Sequence, residues 1–444
     1  MKSKPYPEYK DSGVQWIGEI PKEWEFHKIN QIFEIIGSGT TPNSQNEIYY
    51  DNGVIPWVIT GDLNNSILND TSKKISREAH RDHSTLKLYE KNSLIIAMYG
   101  ATIGKISLLN LEACVNQACC VLANSKILVP KFAFYWFLAN KSNIISLSYG
   151  GGQPNISQDT IKSLRIQVPT LLEQEKIIPF LDKKTSEIDL TIEKDTCLIE
   201  LLKEKRTALI NHVVTKGLDP TVKMKDSGVE WIGEIPEYWN IMKLKHVVAN
   251  KITDGPHETP ELLDQGVPFI SVDAIKKDKI DFSRMRGFIS EHDHRKFCHK
   301  CKPQKDDVFL IKSGATTGNV AIVETDEDFS IWSPLALIRA DKTIMFSRLL
   351  YYILLSDYFK RLIEISWSYG TQQNIGMGVI ENLSIVVPNI REQNLLLDYL
   401  DKETSNIDLI IKKIQKNIEL LEEYKKSLIH HVVTGKVDVR EVAV

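Results

Sequence analysis

Two stretches of the chain return an apolar residue every third or fourth position over many helical turns. In the first, Ile178, Ile192, Ile199 and Val213 share one seam position, and Leu181, Ile188, Leu202 and Leu209 share the other. In the second, Leu397, Ile411, Ile418 and Val432 alternate with Leu400, Ile407, Ile414, Leu421 and Leu428. A period of this kind predicts two long heptad helices, each with one apolar stripe. The stripes are interrupted at matching places, by Thr185 and Thr404 and by Arg206 and Lys425, and the first also by Asp195. Matched interruptions predict that the helices pair in one specified register. Thr170 with Glu173, and Asn389 with Glu392, have the spacing that caps a helix start. Pro179, where the second copy has Asp398, predicts a kink or a delayed start in the first helix.

Upstream of each helix the pattern is strand-like, and it too is written twice. "SLIIAMY" runs into "GATIGK", and "VFLIKS" into "GATTGN", each an apolar strand entering a glycine turn. "LRIQVP" and "LSIVVP" alternate and stop at proline. "DSGVQWIGEIP" from Asp11 returns as "DSGVEWIGEIP" from Asp226. A repeat this long means two copies of a whole domain. The predicted fold class is α+β: two globular mixed α/β domains separated by two long antiparallel coiled-coil helices, a pseudo-twofold internal repeat. Helix one leaves the first domain and helix two must return toward it, as rods of about 65 Å for about 44 residues each. The boundaries are 1–169, 170–216, 217–388 and 389–444. On this reading each "DSGV" stretch enters its domain beside the end of a long helix.

Composition adds limits. With 444 residues, 42% hydrophobic, the chain has enough material for two or three cores. It shows neither a leader's apolar segment nor a membrane-length run, so a soluble cytoplasmic protein with no membrane partner is expected. The six cysteines form no disulfide framework and are expected reduced. A net charge of −3 argues against coating nucleic acid by bulk positive charge, though not against local basic faces.

Catalytic motifs are missing. "GATIGKIS" is one residue short of a phosphate loop and has Ile106 after Lys105; the second copy replaces the lysine with Asn319. Cys298 and Cys301 beside His292, His294 and His299 make a zinc candidate, but the first copy carries His80 and His83 with no cysteine, so the shared fold does not require metal and none is assigned. No Pro-Pro stretch of an amino-methyltransferase occurs, nor a nuclease carboxylate set, nor a dinucleotide fingerprint.

What remains is chemistry suited to reading DNA. Amides pair with adenine edges, Arg and Lys with guanine, Thr with a methyl or phosphate, and glycines let backbone approach a duplex. The candidates in the first copy are Ser38, Thr40, Thr41, Arg81, Tyr99, Thr102, Lys105, Tyr149, Gln153 and Asn155. In the second they are His257, Thr259, Arg295, Lys312, Thr316, Tyr369, Gln372, Gln373 and Asn374. The loops differ between copies while the frame agrees, as expected for two readers of different sequences.

With "SGVxWIGEIPxxW" twice, "GATxG" twice, "EQ" at Glu173/Gln174 and Glu392/Gln393, and "FLDKKTSEID" against "YLDKETSNID", nearly the whole chain resembles the specificity subunit of type I restriction-modification systems. The resemblance implies two target recognition domains, each reading half of a split, asymmetric site on double-stranded DNA, with the helices as a measuring rod. It implies a non-catalytic chain that binds two methyltransferase subunits and, through them, restriction subunits, with S-adenosylmethionine, ATP and Mg in those partners. Rival readings are a single-chain DNA-modifying enzyme and a coiled-coil scaffold without DNA.

Overall fold

Both "DSGV" stretches lead out of the first strand of a hairpin through a local turn. Tyr9–Asp11 pairs antiparallel with Glu19–Pro21, and Met224–Asp226 with Glu234–Pro236. Asp11 and Asp226 accept the N–H of Gly13 and Gly228 at 2.9 and 3.0 Å, an Asx turn. The structure, a computed structural model, describes residues 4–14, 17–148, 154–276, 278–367 and 373–442. The chain divides into two compact units, 1–196 with 416–444, and 197–415. Each holds one copy of the globular domain and a stretch of both long helices.

In the first unit a five-stranded sheet sets Phe33–Gly37, Cys119–Ser125, Leu94–Ala97, Ile106–Leu109 and Ser66–Leu68 side by side in that order. Only the last pair is parallel. The central runs "LIIA" and "ISLL" are buried at every residue, as strands covered on both faces must be. A smaller sheet places Ile55–Val58 between Cys114–Val115 and Lys74–Ile75. The second unit repeats this as a four-stranded sheet, Thr253–Asp254, Leu335–Ile338, Val308–Ile311 and Val320–Ile322, with Val267–Ile270 between Gly287–Ile289 and Ser330–Ile331. In both, the strand before the long helix, Arg165–Val168 or Ser384–Val387, pairs antiparallel with the strand after the hairpin.

The long helices are Leu171–Lys216 and Ile390–Val433. The caps form as expected: Glu173 N–H donates to Thr170 Oγ1 at 3.3 Å and Thr170 N–H to Glu173 Oε2 at 3.1 Å, while Glu392 N–H donates to Asn389 Oδ1 at 3.1 Å. The same glutamates accept the indole N–H of Trp24 (3.2 Å) and Trp239 (2.7 Å), both 0% exposed. The final Trp of each "GEIPxxW" is thus joined to the cap of its own unit's helix. Gln174 and Gln393 behind them are fully buried, each accepting one backbone N–H and donating to two carbonyls.

Pro179 does not delay the first helix, which already runs from Leu171. The capped start and the burial of Ile177, Phe180 and Leu181 outweigh the amide that proline lacks. The predicted seam residues are all buried or half-buried. The polar interruptions divide into two kinds. Lys425 bonds Asp189 at 2.6 Å in the first unit, and Arg206 Nε lies 3.1 Å from Asp408 in the second, so each pairs across the helices. With Asn417 bonded to Asp195 at 2.8 Å, the order of contacts in the first unit is antiparallel. Thr185 and Thr404 do not set the helix register as expected. Their hydroxyls meet Tyr135 at 3.4 Å and Tyr352 at 3.0 Å on the domain's own helices, where Asp182 and Asp401 accept the same phenols.

Each hairpin lies against a helix end within its unit. Tyr9 donates to the Gly435 carbonyl at 3.1 Å, and Asp438 N–H to the Lys4 carbonyl at 2.8 Å. Gly435 and Gly217 follow the helices at φ of 73° and 74°, a conformation that favours glycine.

Candidate nucleic-acid interface

In the first unit several candidate residues meet at one end of the large sheet. The strand Leu94–Ala97 leaves it at Met98, whose N–H donates to Ala118 and whose carbonyl accepts from Ile156, at 2.9 and 2.7 Å. Tyr99 and Asn155 pair as an antiparallel bridge. Gly100–Thr102 makes a tight 3-10 turn, and Lys105 N–H donates to the Thr102 carbonyl at 2.9 Å. The strand Phe33–Gly37 reaches the same end, because Gly37 pairs with Val121. There Tyr89 donates to the Ser38 carbonyl at 3.4 Å, and Thr41 to Gln117 Oε1 at 2.6 Å. Ser38, Thr40, Thr41, Tyr99, Thr102, Lys105 and Asn155 therefore belong to one cluster. Arg81 stands apart on the helix Arg77–Asp82, bonded to Asp82 at 3.1 Å.

The second unit rebuilds the cluster on the same frame. Ser313 bridges Asn374, Gly314 N–H donates to the Gln373 carbonyl at 3.0 Å, and Ile375 N–H to that of Lys312 at 2.9 Å. Thr316, Gln373 and Asn374 are exposed on it. Lys312 turns inward, its side chain only 12% exposed, with Nζ 3.2 Å from Asp254. His257 is bound to the same carboxylate at 3.2 Å, and Thr259 is exposed further along its loop. Arg295 lies on the helix Glu291–Cys298 and donates to the Glu291 carbonyl at 3.2 Å. Tyr149, Gln153, Tyr369 and Gln372 lie outside the described residues.

Two glycines of these loops serve packing. A Cβ on Gly39 would fall onto the Val115 carbonyl oxygen, and one on Gly255 onto that of Ile331. Their loops need glycine because a strand passes beneath them. Within the cysteine-histidine run, Cys298 Sγ lies 3.5 Å from His294 Nε2. His294 is buried, with Nδ1 2.9 Å from Ser330 Oγ. Cys301 sits in an apolar cluster with Phe309 and Phe329, where burial pushes its thiol up to about 11. Among the described residues no group of three or more His, Cys, Asp or Glu could hold a metal. All six cysteines are free.

Sequence reasoning missed three features here. Gln117 holds Thr41. The Arg286 guanidinium lies 3.9 Å from the Trp332 ring centroid, a close cation–π contact. Asp254 gathers Lys300, Lys312 and His257. The signal for the last was an acid where the first copy has Ser38.

A repeated mixed domain with a loop cluster at one sheet end, each joined to long paired helices, is the architecture of a two-domain sequence reader. The family model described as "Type I restriction modification DNA specificity domain" matches residues 21–199 and 236–420, and the chain belongs to that family as a type I specificity subunit with two recognition domains. It is 25% identical over 431 residues to the type I restriction enzyme MjaVIII specificity subunit of Methanocaldococcus jannaschii, covering 95% of each chain. It is 29% identical over 190 residues to the EcoR124I/EcoR124II specificity subunit of Escherichia coli, covering 41% of this chain and 45% of that one. A structure from work on complex assembly and conformational transition of the type I R-M system matches with a TM-score of 0.71 at 16% identity, covering 94% of this chain and 99% of that one. The HsdS subunit of Thermoanaerobacter tengcongensis matches with a TM-score of 0.54 at 16% identity, covering 94% and 98%. At such identity the structures speak for the fold.

Proposed function

We propose that the chain reads a bipartite, asymmetric site on double-stranded DNA, one half per recognition domain. The first domain spans 1–169 and the second 217–388, and helices 170–216 and 389–444 with its tail act as the spacer. The observation that carries this reading is one loop frame dressed with two sets of side chains, Thr41–Gln117 in one copy and Asp254–Lys312 in the other. Sequence is read by side chains at base edges, so a shared frame with different side chains suits different half-sites.

In this reading the chain has no catalytic residue of its own. It carries two methyltransferase subunits and, through them, restriction subunits, in the cytoplasm, and S-adenosylmethionine, ATP and magnesium serve in those partners. Support for docking comes from apolar side chains left exposed on the long helices, Leu172, Leu190, Leu420 and Tyr424 in the first unit and Leu201, Leu395, Leu409 and Ile410 in the second. The test replaces residues 20 to 165 with the matching region of a relative and sequences the methylome of cells carrying the system. One half of the methylated motif should change and the other stay. A change in both halves, or methyl transfer by the purified chain alone, would overturn the reading.

A further inference from the structure

We propose that Asp254 is a specificity-determining positioning residue of the second recognition domain: it withholds Lys300 and Lys312 from the DNA backbone, so the domain engages DNA through its reading loops and not through bulk charge. The inference rests on the DNA-reading function proposed above.

Two lysines and a histidine from three segments converge on this one carboxylate. Lys300 Nζ bonds Oδ1, and Lys312 Nζ and His257 Nε2 lie 3.2 Å from Oδ2. Lys300 also donates to the Gly255 carbonyl at 3.0 Å. Asp254 is buried; burial alone would push its carboxyl up, but the bonds from Lys300 and Lys312 outweigh it and hold the group below the usual carboxylate range. Lys312 leads directly into the Gly314 turn, so the acid sits behind the exposed face of Thr316 and Gln373.

Comparison with the first domain shows that acid and lysine belong together. Where the second has Asp254 and Lys312, the first has Ser38 and Met98, aligned by Gly39 with Gly255 and Gly100 with Gly314. Acid and cation are absent as a pair. A lysine this enclosed cannot remain charged and unpaired. Without the acid Lys312 must turn outward, and Lys300, already 48% exposed, is released with it. At the rim of a DNA-reading surface, freed ammonium groups meet phosphates. Phosphate contacts add affinity and salt dependence but carry no sequence information.

The test uses the full chain assembled with its methyltransferase subunits, measuring binding to duplexes with and without the methylated motif across a salt series. In Asp254→Asn, affinity for DNA lacking the motif should rise about tenfold per freed lysine near ~0.1 M salt. The log–log salt slope should steepen by about 0.9 per lysine, and the second half of the methylated motif should become degenerate while the first is kept. A purely structural acid behaves differently. Asp307, buried and held by Arg339 through two bonds of 2.7 Å, serves as the control; Asp307→Asn should leave the slope where it was. If Asp254→Asn fails to assemble, the double variant D254S/K312M carries the first domain's residues and frees Lys300 alone, with an expected steepening of about 0.9. An unmoved or shallower slope in the assembled variant, or failure of both variants to assemble, overturns the proposal. Loss of sequence dependence in the unmodified complex would instead overturn the DNA-reading function itself.

Discussion

The two recognition domains agree where side chains are buried in the frame and differ where they reach the loop ends. Trp24 and Trp239 meet the same cap glutamate, Gln174 and Gln393 satisfy the same three backbone groups, and Tyr135 and Tyr352 meet the same Asp and Thr. At the loop ends Thr41 bonds Gln117 in one domain, while in the other Asp254 collects cations. Repeated residues therefore mark what holds the domain on its helix. Unrepeated ones mark where the two domains differ at the loop ends, and self-similarity alone passes over them.

The largest effect should come from the frame. Trp239→Ala removes a fully buried indole and leaves Glu392 without one of its donors. A loss of about 3–5 kcal/mol is expected, as for other large core truncations. Urea unfolding of the full chain, followed by hydrogen exchange, should show the second domain opening early and the first keeping its protection. Trp24→Ala should do the reverse. Equal loss in both domains from either variant would mean that the frames are not independent.

Much of this frame was legible in the sequence. Heptad spacing, the two caps, the apolar strands and the doubled hairpin depend on neighbours a few residues apart, and periodicity reports them. Partners distant in sequence were not legible. Thr185 looked like a helix-register residue because its Tyr135 contact comes from another helix. Asp254 was invisible as a hub because its partners come from the segments around 257, 300 and 312. The glycine turns gather most of the candidate loop residues at one sheet end, whereas Arg81 lies apart on the helix Arg77–Asp82.

A smaller effect separates the two cross-helix ion pairs. Lys425 and Asp189 form a largely exposed pair, and Lys425→Met should cost only about 0.2–1 kcal/mol. Arg206 reaches Asp408 and also Asp278, at 3.6 Å, between the paired strands Ile275–Lys276 and Lys279–Ile280 of the second domain. Burial pushes the Asp278 carboxyl above its ordinary range, and Arg206 opposes that rise. The folded state thus holds the Asp278 proton more tightly than the unfolded chain, so this group disfavours folding as pH rises from the unfolded pKa through the folded one. Removing the guanidinium enlarges that penalty. Arg206→Met should therefore be more destabilising near neutral pH than near pH ~4, as read by urea midpoints at the two values, whereas the opposite trend would mean that Arg206 contributes nothing to Asp278.

The smallest effect on the fold, and the sharpest on the comparison, belongs to Gln373. The loops "GGGQPNI" and "GTQQNI" end on the same Asn-Ile, which places Gln373 opposite Pro154. What the frame takes from Gln373 is its backbone carbonyl, bonded by Gly314 N–H at 3.0 Å, and that group survives any side-chain replacement. Its amide is exposed, and the first domain has none at that position. Gln373→Ala should leave the unfolding midpoint within the small range of surface substitutions, about 0.5 kcal/mol. If the amide pairs with an adenine edge, its loss should relax one position of the second half-site by about 1–3 kcal/mol of discrimination. Methylome sequencing and competition binding read this directly, because the first half-site serves as an internal standard in the same molecule. A motif unchanged at every position would assign Gln373 to the frame and leave base reading to the other exposed residues of that cluster.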